Sequence, residues 1–196
     1  MKIKIDLEIK RQIFHIYLGL MLMLLIHRNI LNSFYILLII LFGAIISLIS
    51  TKIDIPVISW FLDNFERPEY RKKFPGKGTI FFFIGVYIVT RLFQKDIALA
   101  AIMILTLGDS ISHLVGKYFG KTKTKLSGKK LLEGTIAGII MGFIGAILFV
   151  PYLEAFLASL IAMLFEAVEI KYLRIIDDNI IVPVVAALVI FLMRLI

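Results

Sequence analysis

At 196 residues the chain has room for one domain and no separate soluble module, and 60% of its residues are apolar. Apolar runs of about 15–20 residues recur along it, which places it among polytopic membrane proteins. It carries a net charge of +8 and no cysteine, so disulfide frameworks and thiolate metal sites are excluded. The three histidines, His15, His27 and His113, are too scattered in sequence to suggest a zinc site.

The start, MKIKIDLEIKRQ, mixes charged and apolar residues and lacks a small-residue cleavage site, so a retained cytoplasmic end is expected rather than a signal peptide. Hydropathy predicts seven spans, at residues 13–26, 31–50, 79–93, 97–117, 131–150, 153–170 and 180–195. The expected fold class is an all-α, polytopic membrane bundle forming a single domain over residues 1–196. The first and third spans are short and must thin the bilayer or borrow Arg11 and Arg91, which can snorkel. Residues 53–65, IDIPVISWFLDNF, are apolar but too short to cross, so an interfacial helix anchored by Trp60 is predicted.

Lysine and arginine decide orientation. Eighteen of the 22 basic residues fall before span one or in the second, fourth and sixth connections, and only Arg28, Arg91, Lys95 and Arg194 fall on the other side. The N-terminus is therefore expected in the cytoplasm, with cytoplasmic basic loops at 66–78 and 117–130. This orientation gathers every distinctive polar segment on one face.

Asp109 lies in the second half of the run IALAAIMILTLGDSISHLV. A carboxylate at helix-centre depth costs roughly 2.5–3.5 kcal/mol, and is retained for a task or for a bond to a neighbouring helix. On a regular helix Ser112, His113 and Gly116 share its face, and Lys117 follows about 12 Å further on. His113 enters this reading as a helper or a structural partner. Glu133 opens span five, where it either compensates the helix dipole or joins a site. Gly134, Gly138 and Gly142 recur every four residues on the same helix, a spacing for close helix packing.

Glu166 and Glu169 lie at the cytoplasmic end of span six, and Asp177, Asp178 and Asn179 precede span seven, where Asp178 or Asn179 also suits a helix cap. So many carboxylates at one membrane edge repel one another unless cations intervene. Lysines supply part of that charge and a divalent metal the rest. Mg2+ suits the task, because it takes carboxylate and phosphate oxygens.

Pro75-Gly76-Lys77-Gly78-Thr79 opens span three, where a glycine turn and a helix N-terminus favour an anion. It is also an ordinary turn sequence, and no Walker A pattern occurs in the chain. Gly116 to Lys130, GKYFGKTKTKLSGKK, carries six lysines and suits either phosphate or anionic lipid.

In order, these segments resemble the CTP-dependent polyprenol and diacylglycerol kinase family, which includes dolichol kinase and phytol kinase. Arg11-Gln12-Ile13-Phe14-His15 resembles the family's R-K-x-x-H, Pro75 to Gly78 its P-G-K-G, and Gly108-Asp109-Ser110 its G-D-[SA]. Gly116 to Gly120 is similar to G-x-x-[FY]-G, Lys130 to Gly134 to K-[ST]-x-E-G, and Glu166 with Asp177-Asp178-Asn179 to E followed by D-D-N. Leu131 stands where the family has Ser or Thr, and His113 where a small residue is usual.

The resemblance implies a kinase-like domain that transfers the γ-phosphate of CTP, or of another nucleoside triphosphate, to the hydroxyl of a polyprenol, an isoprenoid alcohol or a diacylglycerol-type lipid. Lys77 with Gly76 and Gly78, and Lys117, Lys121 and Lys130, are expected at the phosphates. Asp109, Lys77 and Glu133 are the candidate catalytic residues. Asp109, Glu133, Asp177 and Asp178 are the candidate Mg2+ ligands, with Asp109 equally a proton acceptor. Glu166, Asn179, Ser110 and His15 are secondary. The expected partners are the lipid alcohol, the nucleotide and the bilayer, with no nucleic acid. A cytidylyltransferase making a CDP-lipid needs the same groups, and a transporter with Asp109 on an ion path is the rival of another class.

Overall fold

Asp6 opens the first helix by accepting a hydrogen bond from the Glu8 backbone N–H at 2.9 Å, and Glu8 sits in the first turn, where negative charge complements the helix dipole. The computed structural model describes residues 6–123, 130–168 and 177–195. Among these residues the elements are helical, α1 (Leu7–His27), α2 (Ser33–Ser50), α3 (Pro56–Phe65), α4 (Lys77–Leu92), α5 (Lys95–Met103), a π-helical turn (Ile104–Asp109), α6 (Ser110–Phe119), α7 (Leu132–Ala146), α8 (Tyr152–Ala167) and α9 (Asp178–Met193).

Three of these stretches are long and apolar enough to cross a membrane: Leu7–His27, Ser33–Ser50 and the continuous rod Lys95–Phe119. The first begins six residues before the expected start, so its 21 residues reach across without bilayer thinning. Arg11 stays within that helix, paired with Glu8 at 2.6 Å. α4, α8 and α9 have 16 residues each and α7 has 15, about 24 Å or less of helix. α3 lies where an interfacial helix was expected. Phe61 and Phe65 pack on Phe14 of α1, with ring centroids 5.0 and 5.1 Å apart, and Trp60 is left exposed.

The rod of α5, the π turn and α6 is the centre of the bundle. Every residue from Ile97 to Leu105 is buried, and α1, α4, α7 and α9 pack around it. α2 is the opposite case, with only 11% of its apolar window buried and the rest left for lipid. The glycine row of α7 packs as its spacing predicts. A Cβ on Gly138 would lie 2.9 Å from the Gly108 carbonyl oxygen, so α7 rides directly on the π turn. Gly85 plays the same part between α4 and α9. Pro183 has no N–H to offer the carbonyl of Asn179, and a Cβ on Gly85 would meet that oxygen at 2.1 Å.

Helix direction alternates. At one end Lys95 at the start of α5 bonds the His27 carbonyl at 2.7 Å, and Arg194 just past α9 pairs with Asp96 and Glu154 at 2.7 and 2.9 Å. The polar segments singled out above meet at the other.

Candidate functional site

Asp109 closes the π turn. One wide turn there shifts the side chain from its regular helical position, and such turns are common at functional sites. Thr106 helps to set it, its hydroxyl donating to the Ile102 carbonyl at 2.7 Å. Asp109 is 5% exposed. Its Oδ1 has the His113 Nε2 at 3.5 Å, one turn along α6, and accepts no hydrogen bond among the described residues.

Glu166, at the end of α8, brings the second carboxylate to the same point. Its Oε2 accepts from the Ser112 hydroxyl at 3.4 Å, and its Oε1 meets the Lys130 ammonium. One donor atom each from Asp109, His113 and Glu166 lie within 4.8 Å of one another. This triad is the polar centre of the bundle, and Glu166, secondary in the sequence reading, belongs at its heart.

Lys130 joins the triad to the α9 start. Its Nζ lies 3.5 Å from Asp178 Oδ2 while it holds Glu166. Burial alone would lower its pKa, but the Glu166 and Asp178 carboxylates outweigh that and hold the ammonium above its ordinary value. Asp177 caps α9 by accepting from the Asn179 N–H at 3.2 Å and also receives the Asn179 side-chain amide at 2.7 Å. Lys77 reaches the same Asp177 at 3.4 Å and lies over the Tyr70 ring at 4.5 Å. Gly76 sits at φ 75°, which turns the chain into the first turn of α4. The P-G-K-G and D-D-N segments, about a hundred residues apart in sequence, therefore touch.

A cleft of about 260 Å³ lies beside the triad, lined by Glu8, Arg67, Ser112, His113, Lys117 and Lys130 among others. Three of these are cationic. Lys117 is held at its rim by Asp6 at 2.6 Å, and the Tyr118 hydroxyl donates to the same carboxylate at 3.0 Å. These contacts, with Lys117 first, hold the Asp6 carboxyl down at about 2. Glu8 and Arg67 had not been singled out. Their signal was the charge in DLEIKRQ and RPEYRKK, which resembles any solvated edge.

The other candidates are placed less centrally. Glu133 lies outside the triad, accepting from the Thr122 N–H at 3.1 Å, where residues 122–123 run back against 131–132. Asp177 and Asp178 are held by lysines rather than grouped with Asp109. Lys121 is exposed. Among the described residues the Ser110 hydroxyl and the His15 Nε2 are buried without a hydrogen-bond partner, and the His15 ring stands edge-on to Phe82 at 4.4 Å. Glu169 and residues 124–129 of the basic loop lie outside the described residues.

The sequence profile of the cytidylyltransferase family matches residues 5–195, nearly the whole chain. The chain belongs to this family. Among curated proteins it is 27% identical to CTP-dependent diacylglycerol kinase 1 of Schizosaccharomyces pombe over 133 residues, 59% of each chain. An uncharacterized protein of Methanocaldococcus jannaschii is 30% identical over 190 residues, 93% of this chain and 92% of that one. A probable chloroplastic phytol kinase of Triticum aestivum is 27% identical over 134 residues, 60% of this chain and 44% of that one. The alignments with the two kinases thus cover 59% and 44% of those proteins. No solved structure matches.

The donor chemistry of the triad fits a divalent cation. Two carboxylates from different helices converge with an imidazole, and one buried carboxylate oxygen lacks a donor. Of the residues expected to hold Mg2+, Asp109 belongs to this group, while Glu133, Asp177 and Asp178 lie outside it among the described residues.

Proposed function

We propose that the protein is a CTP-dependent lipid-alcohol kinase. The observation that carries this is the pairing of a cationic cleft, lined by Arg67, Lys117 and Lys130, with the buried Asp109–His113–Glu166 group at one end of a membrane bundle. The kinase names of two relatives, each with an alcohol-bearing lipid as substrate, support the acceptor class and CTP as donor. The acceptor is an isoprenoid alcohol, a polyprenol or a diacylglycerol-type lipid. The seven-span arrangement and a cytoplasmic N-terminus remain part of the proposal, supported by the basic-residue asymmetry and by the helix ends that meet at the site.

The lipid enters from the bilayer with its hydroxyl beside Asp109, and the nucleotide enters the cleft from water, steered by its cations. Arg67, Lys117 and Lys130 hold phosphate oxygens, with Lys121 at the rim. Lys77, with Gly76 and Gly78, extends this cationic edge along α4. Asp109 accepts the hydroxyl proton as the lipid oxygen bonds to the γ-phosphorus, and the bond to the β-phosphate oxygen breaks to release CDP. Phosphoryl transfer asks chiefly for this positioning and charge. Asp109, His113 and Glu166 would hold a divalent cation, which when bound neutralises charge on the transferring phosphoryl group. Glu133 fixes the start of the basic loop through Thr122.

A second reading follows from the family's own description: a cytidylyltransferase that joins CMP to a lipid phosphate. Purified protein in detergent, given a divalent cation, lipid alcohols or lipid phosphates, and CTP labelled at the α or γ position, separates the two. Lipid carrying γ-label with release of CDP is expected. Lipid carrying α-label with release of pyrophosphate overturns the kinase in favour of the transferase.

A further inference from the structure

We infer that the buried triad selects a cation that accepts imidazole nitrogen, of the Mn2+ class, over Mg2+. The inference deepens the kinase reading and rests on it only in assigning the metal to catalysis; the binding itself stands on geometry.

Three observations lead to it. His113 follows Asp109 by four residues on α6, so both side chains project from one face, with Nε2 3.5 Å from Oδ1. Glu166 arrives from α8 with a donor atom inside the same 4.8 Å group. Adjacent ligand atoms on a first-row divalent ion at about 2.1 Å lie about 3 Å apart, so the three donors, now within 4.8 Å of one another, draw together by up to about 2 Å as the ion binds. Lastly, Asp109 is 5% exposed and its Oδ1, with only the His113 Nε2 near it at 3.5 Å, accepts no hydrogen bond among the described residues, which leaves a buried acceptor for the ion to satisfy.

The donor types then decide the metal. Mg2+ takes oxygen ligands, keeps several waters and demands a near-ideal octahedron. An imidazole favours a first-row transition ion over Mg2+, and Mn2+ is the member of that row that also suits the two carboxylates; three protein donors leave positions open for phosphate and hydroxyl oxygens. Lys130 is the resident cation on Glu166 Oε1, and the entering ion replaces it there. The ammonium keeps its contact with Asp178 at the edge of the cleft it already lines.

The test uses chelator-treated, nucleotide-free protein in detergent, titrated with Mn2+ and followed by electron paramagnetic resonance, with Mg2+ as competitor. Mn2+ is expected to bind at least about tenfold more tightly than Mg2+, with a hyperfine signal from a directly coordinated imidazole nitrogen. His113→Gln should abolish that signal and weaken Mn2+ by about tenfold or more, while His27→Gln, at the far end of α1, keeps both. Equal affinities for the two ions, or no nitrogen coupling in the unaltered protein, overturn the inference, and this second readout stands even where a variant fails to fold. The same sample assayed with γ-labelled CTP separates the two claims. Phosphate transfer without nitrogen coupling overturns the metal assignment alone, and nitrogen coupling without transfer overturns the kinase reading alone.

Discussion

Replacing Lys130 by methionine keeps a chain of similar length and removes the ammonium that Glu166 and Asp178 share. The Glu166 side chain is 0% exposed, and among the described residues its remaining hydrogen bond is the 3.4 Å one from Ser112. Taking away one partner of a buried ion pair costs about 3–5 kcal/mol. Lys130 keeps 20% of its side chain in solvent, and its contact with the more exposed Asp178 is screened, so the expected loss is near the lower end, about 3 kcal/mol. The double variant Lys130→Met/Glu166→Gln removes both charges and should recover most of it, giving a coupling energy of about 2 kcal/mol. Reversible unfolding in mixed micelles, followed by circular dichroism on the two single variants and the double, measures the cycle. Additivity within about 0.5 kcal/mol would refute the argument that Lys130 neutralises Glu166.

Asp109→Asn should lower kcat by at least about 10²-fold while the protein stays inserted and folded; near-normal turnover removes Asp109 from the chemistry. Gly85→Ala places a methyl carbon 2.1 Å from the Asn179 carbonyl oxygen, so α9 must move off α4, with a loss of about 1–3 kcal/mol and a higher KM for CTP as Asp177 parts from Lys77. An unchanged melting temperature would show that the helices do not meet there. Asp6 gives a pH dependence. Its carboxyl is held at about 2 against an ordinary 3.8, so its contribution is complete above 3.8 and fades as pH falls toward 2. The melting-temperature gap between the native protein and Asp6→Asn should be constant near neutrality and close over that acid window; a gap that persists at pH 2 contradicts the pairing with Lys117.

Much of the site was legible because its cues are local. Asp109 announced itself by hydropathy, since a carboxylate within an apolar run is costly whatever packs beside it. The turn at Gly76 follows from short-range chemistry, whereas the cap expected at Asp178 or Asn179 falls on Asp177, because the helix begins a residue or two earlier than hydropathy marks. The glycine row of α7 told which face packs closely but not against what. His113 was harder to place, since on its own helix it is only a neighbour of Asp109, and its role depends on Glu166, 53 residues later. Glu133 shows the complementary case. Its position in a helix's first turn resembles that of a site acid, and only the return of residues 122–123 explains its contact.

Composition and hydropathy by themselves determined that this is a helical membrane protein, and the distribution of lysine and arginine that its basic segments fall on one side of the predicted spans. Those properties depend on how each segment partitions between water and lipid, which a segment does on its own account. The tertiary structure alone decided which carboxylate faces Asp109, that Lys130 is shared between α8 and α9, and that the π turn under α7 aims Asp109 at them. Those outcomes depend on contacts between helices distant in sequence, set by close packing at Gly138 and Gly85, where the room left by an absent side chain fixes where charged groups meet.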